Sequence, residues 1–299
     1  MSFAVFTESR FPIPDSRILM YLQCGPFKLS LERPLVMGVV NVTPDSFSDG
    51  GVYVGAKQAV AHARRLVEEG ADILDIGGES TRPGAASVAL DEERKRVLPV
   101  LEALAGCGVP LSVDTRKPEF MLEAIAAGAA MINDVTALTA PAALTAVAKS
   151  PVAVCLMHMQ GDPGTMQESP TYREVVREVR DYLAQRVADA EQAGIARDRI
   201  VVDPGFGFGK TVEHNLALLR SLAEFRSLGV ALLAGLSRKA MLGKLTGREP
   251  QERVHASIAA ALLAVQNGAQ IVRVHDVAAT RDALAVWNAV KGQNQTQSR

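Results

Sequence analysis

The chain has little of what would tie it to a charged polymer, an oxidising compartment or a bilayer. Its 32 lysines and arginines almost balance 33 aspartates and glutamates, leaving a net charge of -1. No overall field is available to hold nucleic acid or an acidic membrane face, so any anionic ligand has to be gripped locally. The three cysteines, Cys24, Cys107 and Cys155, are odd in number, widely spaced and free of any CxxC pairing. That argues against a disulfide framework and a structural zinc site, and it fits a reducing cytoplasm. Apolar runs such as 258–265 fall well short of the ~20 residues needed to span a bilayer. The first ten residues include Glu8 and lack a basic start followed by a long apolar run, which is not the pattern of a signal peptide. The expectation is a soluble, cytoplasmic protein with no nucleic-acid partner and no membrane. No linker or low-complexity tract divides the chain, so one domain over 1–299 is expected.

What the chain does have is 48% hydrophobic residues across 299 positions, enough to bury a large core. Short aliphatic or β-branched runs recur at 35–40, 73–76, 111–113, 131–133, 152–156, 200–203, 232–234 and 271–274. Between them lie segments of helical period, such as Val60, Ala63 and Val67, then Val176, Val179, Leu183 and Val187, then Val254, Ile258, Leu262 and Val265. The runs are apolar on successive residues, as strands covered on both faces must be. Eight strand–helix units in about 250 residues predict a (β/α)8 barrel over about 34–290. An open doubly wound sheet is the alternative, against which stands the missing G-x-G-x-x-G after the first strand. Ahead of the barrel, residues 17–31 read as two short strands joined by Gly25-Pro26, a hairpin placed to close the barrel bottom.

Polar residues follow the apolar runs with regularity: Asn41, Glu79 to Arg82, Asp114, Asn133, His158, Asp203, Ser237-Arg238-Lys239, and Arg273 with His275. Any one Asn or Asp could merely cap the next helix. In a barrel, however, all strand C-termini open on one face, and these residues ring a single mouth. Two loops, 41–51 and 77–84, combine oxygen-bearing side chains with glycines and prolines that permit close backbone approach. They also place Phe47 and Arg82 at their tips, where an ordinary connector gains nothing from them.

The segments Met37-Gly-Val-Val-Asn-Val-Thr-Pro-Asp-Ser-Phe-Ser-Asp-Gly-Gly51 and Asp75-Ile-Gly-Gly-Glu-Ser-Thr-Arg-Pro-Gly84 resemble the two signature motifs of the dihydropteroate synthase family. The resemblance continues through Ser112-Val-Asp-Thr115, Ile132-Asn-Asp134, Met157-His-Met159, Asp203-Pro-Gly-Phe-Gly-Phe-Gly-Lys210, Ser237-Arg-Lys239 and Arg273-Val-His-Asp276. It covers essentially residues 35–290.

The resemblance implies a transferase that joins 6-hydroxymethyl-7,8-dihydropterin pyrophosphate to 4-aminobenzoate in folate biosynthesis, and a usual target of sulfonamides. It implies a pterin pocket of Asp114, Asn133, Met157, Asp203, Phe208, Lys239 and Arg273. Asn41, Thr81, Arg82, Arg273 and His275 would hold the diphosphate. Phe47, Thr81, Pro83, Phe208 and Ser237 would surround 4-aminobenzoate. Mg²⁺ would bridge diphosphate oxygens through Asn41, with Asp49 nearby. Arg82, Lys239, Arg273, His275 and Asp49 are the candidate catalytic residues, in an SN1-like path that asks for leaving-group stabilisation and exclusion of water more than for a base. One departure from the pattern is Ala240, where many members carry serine that would contact the arylamine carboxylate. Family members are commonly homodimers through late-barrel helices, so a homodimer is expected. A pterin-binding methyltransferase barrel or a non-catalytic pterin-binding paralogue is the competing reading. Neither needs the group formed by Thr81, Arg82, Arg273 and His275.

Overall fold

The structure is a computed structural model that describes residues 20–42, 51–80, 87–162 and 164–291, without the side chains of 51–54. It opens with an antiparallel hairpin, β1 (Tyr21–Cys24) and β2 (Phe27–Ser30), turned at Gly25 in a left-handed conformation. The expected residues 17–19 of this hairpin lie outside the described residues.

Eight parallel strands follow: β3 (Leu35–Asn41), β4 (Ile73–Gly77), β5 (Leu111–Asp114), β6 (Met131–Asp134), β7 (Ala153–Met157), β8 (Ile200–Asp203), β9 (Ala231–Ala234) and β10 (Ile271–Val274). They pair in chain order, and β10 returns to pair with β3, closing the barrel. That closure rules out the open doubly wound alternative. Helices α1 (Gly51–Glu68), α2 (Leu90–Ala103), α3 (Pro118–Ala126), α4 (Ala143–Ala148), α5 (Val175–Gln192), α6 (Val212–Arg220), α7 (Ala240–Thr246), α8 (Val254–Gln266) and α9 (Val277–Val290) cover the outside.

The strands are buried almost throughout, as their apolar runs require, but alternate residues serve different cores. On β3, Val36 and Val40 pack outward in the layer between barrel and helices, while Leu35 and Met37 point inward. The same parity sends Leu74 and Ile76 outward and Ile73 inward on β4, and Val202 outward and Val201 inward on β8. Leu22, Cys24 and Leu31 of the hairpin region join that lower interior layer, and the Cys24 thiol donates to the carbonyl of Ala130 just before β6. The hairpin therefore plugs the end of the barrel where strands begin, as expected. Continued one step further up each strand, inward parity falls on Asp75, Ser112, Asp114, Asn133, Met157, Asp203 and Arg273. Residue period two, applied to eight strands of one direction, thus delivers polar side chains to one mouth.

The helix reading needs one correction. On α5 the buried residues Val179, Leu183 and Val187 match the expected stripe. On α8 the face against the barrel is Ser257, Ala260, Ala261, Ala264 and Val265, and Ile258 and Leu262 are only partly buried. Small side chains let this helix sit close, and the larger ones stand at its flanks.

Candidate active site

At the floor of the mouth Asp75 is fully buried and accepts three hydrogen bonds. Ser112 Oγ donates to Oδ1 at 2.7 Å, Asn133 Nδ2 to Oδ2 at 3.1 Å, and Arg273 Nε to Oδ2 at 2.6 Å. A carboxylate accepts only, so it fixes the Asn133 amide with its NH₂ toward Asp75 and its oxygen free for another partner. Arg273 spends a second arm on Asp114, Nη2 to Oδ2 at 3.1 Å. Asp114 and Asn133 are register partners on β5 and β6, as are Met157 and Asp203 on β7 and β8, so the four end at neighbouring places around the rim.

The electrostatics follow from two acids sharing one cation. Burial, then the charge of Asp75, raises Asp114 to about 7, although Arg273 opposes the shift. Burial works against the charge of Arg273, but Asp75 and Asp114 outweigh it and hold the guanidinium above its ordinary range. Burial also raises Asp203, against the Gly205 N–H, which donates to its Oδ1 at 2.8 Å, and the charges of Lys239 and Lys210.

The wall beside Asp203 is apolar: Phe208 packs with Val135, Met157 and Met166. Lys239 Nζ lies 4.1 Å from the centre of the Phe208 ring, in cation–π contact. Lys239 gets there because Arg238 takes a left-handed backbone, φ 58°, an uncommon state for a side chain of this size. Three contacts hold that turn. Arg238 pairs with Asp276 through Nη2 at 2.6 Å and Nε at 3.2 Å, its N–H donates to Ser257 Oγ at 2.9 Å, and its carbonyl accepts from Arg253 Nη1 at 3.1 Å. The turn divides the triplet, with Arg238 anchored to Asp276 while Ser237 and Lys239 meet His275 and Phe208.

His275 is part-buried, with Nδ1 2.9 Å from Ser237 Oγ. The same hydroxyl oxygen accepts the His275 backbone N–H at 3.2 Å. With its own proton given to Nδ1, this hydroxyl selects the tautomer in which Nε2–H is the donor of the imidazole. Burial, with Arg273 and Arg238 adding to it, lowers its pKa to about 3. That shift favours a neutral imidazole near pH 7, the charge state that the sequence left open. Ser237, expected at the arylamine, has its hydroxyl engaged by this imidazole.

Of the sequence-predicted residues, Asp114, Asn133, Met157, Asp203, Phe208, Lys239, Arg273, His275 and Ser237 come together here, and Asn41 ends β3 beside Gly77 of β4. Phe47, Asp49, Thr81, Arg82 and Pro83 lie outside the described residues. His158, which also follows a strand, does not belong with them. It is buried, its Nδ1 sits 2.9 Å from Lys210 Nζ, and burial with the Lys210 charge lowers its pKa to about 3. The residue that sequence reasoning passed over is Asp75. Its signal was present as a carboxylate in the middle of an otherwise apolar strand, Ile73-Leu-Asp-Ile-Gly77.

Among the described residues no group of three or more His, Cys, Asp or Glu is arranged to hold a metal ion. Asn41 offers a single amide oxygen. That donor set suits only an ion that brings most of its ligands with it, as Mg²⁺ does when it is bound to phosphate oxygens and water.

Comparison with known proteins agrees with this fold. Residues 37–275 match the family model described as pterin binding enzyme. The dihydropteroate synthase of Neisseria meningitidis serogroup B is 55% identical over 275 residues, covering 90% of this chain and 96% of its own. The Xanthomonas albilineans dihydropteroate synthase, solved with 4-aminobenzoic acid, superposes with a TM-score of 0.86 at 57% identity, covering 91% of this chain and 98% of that one. The Burkholderia cenocepacia enzyme, solved with 7,8-dihydropteroate, gives 0.84 at 53% identity, covering 93% and 98%.

Proposed function

The chain belongs to the pterin-binding enzymes and, among them, to the dihydropteroate synthase family, and from that premise we propose that it condenses (7,8-dihydropterin-6-yl)methyl diphosphate with 4-aminobenzoate, releasing diphosphate. The observation that carries this reading is the double reach of Arg273 to Asp75 and Asp114, two residues from His275 on the same strand end. Through it, one guanidinium links a floor of carboxylates and amide to a rim fit for an anion.

In this reading the pterin's donor-rich edge meets Asp114, Asp203 and the free oxygen of Asn133, while Met157 and Phe208 cover the ring. A ring lacking those donors leaves buried acceptors without partners, at about 1–3 kcal/mol each, which is the source of selectivity. Lys239, already over Phe208, stands at the border between the pterin and the second substrate. Arg273 and the Nε2–H of His275 hold the diphosphate, with Thr81 and Arg82 joining from the 77–84 loop. Mg²⁺, when bound, spreads the diphosphate charge, and Asn41 would be its protein ligand, with Asp49 near it.

As the C–O bond to diphosphate breaks, the electron-rich dihydropterin delocalises the positive charge left on its methylene group. The residues here then have to hold the leaving anion and keep water out until the arylamine attacks. Among the described residues, the one imidazole assigned to the pocket, His275, already has its Nδ1 at hydrogen-bond distance from Ser237 Oγ. Phe47, Thr81, Pro83, Phe208 and Ser237 are assigned to 4-aminobenzoate. Its carboxylate would face the first turn of α7, which starts at Ala240 after Lys239 with no side-chain cap.

A homodimer is part of the proposal, supported by the exposed Leu263 of α8 and Val286 and Val290 of α9 on neighbouring helices. Among the described residues no helix is long and apolar enough to cross a membrane, and free cysteines support work in a reducing cytoplasm. The test is incubation with the pterin diphosphate and Mg²⁺, following diphosphate release with and without 4-aminobenzoate. Release that depends on the arylamine supports a synthase. Equal release without it points to a hydrolase, and none in either case to a binder.

A further inference from the structure

Behind the pocket wall lies a buried ammonium that has no part in the assignments above. Lys210 ends the 203–210 run just before α6, and only 3% of its surface reaches solvent. Its Nζ donates to the Phe208 carbonyl at 2.9 Å and to the His158 carbonyl at 3.3 Å, and it lies 2.9 Å from His158 Nδ1. Among the described residues it makes no ion pair. A buried cation held only by neutral acceptors is costly, and burial brings its pKa down to about 7.

The three acceptors come from two segments that press backbone against backbone. Gly205, Gly207 and Gly209 all take left-handed conformations, at φ 70°, 80° and 61°. A Cβ on Gly205 would stand 1.9 Å from the His158 carbonyl oxygen, and one on Gly209 would stand 2.5 Å from that of Gln160. The loop after β8 is therefore laid directly on the end of β7, and Lys210 fastens the two through their interior. Tyr172 Oη donates to the Gly209 carbonyl at 2.9 Å, and the Gly207 N–H donates to Asn215 Oδ1 at 2.8 Å. Between these ties stands Phe208, whose ring faces Lys239 and whose own carbonyl Lys210 holds.

The geometry points to Lys210 as a positioning residue, which fixes the Phe208 ring as the wall between pterin and arylamine by tying the Phe208 and His158 carbonyls together. The inference rests on the reading that Phe208 lines both substrate pockets.

The test compares wild type, Lys210→Met, Phe208→Ala and the double variant. It reads kcat and the two substrate KM values, with circular dichroism and thermal denaturation to confirm folding. Lys210→Met should raise both KM values roughly tenfold, as expected when buried acceptors lose their donor. The double variant should be no worse than Phe208→Ala alone, because Lys210 acts through that ring. Losses that multiply in the double variant overturn the proposal, since a merely structural lysine would give that result. Wild-type KM values in Lys210→Met with Phe208→Ala impaired remove the role of Lys210 alone. Wild-type KM values in Phe208→Ala remove the placement of Phe208, and the role of Lys210 with it. Should Lys210→Met not fold, Tyr172→Phe loosens the same loop at Gly209. It should raise both KM values without adding to Phe208→Ala, and unchanged KM values would contradict the proposal.

Discussion

Arg273 on β10 and Asp75 on β4 are joined at 2.6 Å across β3, the strand that lies between theirs. The contact closes the polar floor in the same way that β10 pairing with β3 closes the barrel. Because Asp75 holds Asn133 as well as Arg273, it orients two of the groups assigned to the pterin without being one of them.

Asp75→Ala should therefore do two things. Removing this carboxylate leaves Ser112 Oγ and Asn133 Nδ2 without their acceptor and Arg273 with Asp114 in place of two acids, at about 1–3 kcal/mol for each buried group left unsatisfied. Pterin affinity should fall as well, because the Asn133 amide is no longer held with its oxygen outward. Chemical denaturation reads the first effect and calorimetry with the pterin reads the second.

Asp114 makes the free enzyme sensitive to pH. Its folded value of about 7 lies above the ordinary 3.8, so the native state holds the proton more tightly. Its contribution to stability is complete below the unfolded value and lost as pH rises through about 7. Asp114→Asn should flatten that fall between about pH 4 and pH 7, measured by denaturation across the range. Pterin binding should run the other way in the wild type, weakening as acid protonates Asp114. In the Asn variant it should be weak throughout and lack the acid limb.

His275 has the opposite linkage. Its pKa is lowered from 6.5 to about 3, so between these values the unfolded chain takes up a proton that the native state refuses. Stability from this residue is lost as pH falls through that window. His275→Gln should make the protein less sensitive to acid there. It should weaken diphosphate binding only modestly, since a neutral donor replaces a neutral donor. Arg273→Ala should cost far more in both diphosphate and pterin binding.

Ala240→Ser restores a hydroxyl at the start of α7. It should lower KM for 4-aminobenzoate about tenfold or more, for a hydrogen bond of about 1.5–3 kcal/mol to a charged group, and leave pterin affinity unchanged. Steady-state kinetics with each substrate varied in turn decides this.

The barrel was legible because parallel strands covered on both faces are written as continuous apolar runs, and all eight strands lie within one or two residues of their expected ends. The site was legible where a polar residue stood at the end of such a run, as with Asp114, Asn133 and Asp203. It was obscure where the polar group lay inside the run, as with Asp75, or where the contact joined distant loops, as with Lys210 and His158. On α8 the sequence period followed large side chains, whereas close packing selected Ser257, Ala260, Ala261 and Ala264. Hydrophobicity alone does not separate a face that packs closely from one left at the surface.

The most direct measurement is a crystal structure of the protein with the pterin diphosphate. The bicyclic ring should contact Asp114, Asn133 and Asp203 at once, beside Phe208, with the diphosphate on Arg273 and His275. A ring bound elsewhere, or a diphosphate remote from Arg273 while the pterin sits on Asp203, would contradict the proposed function.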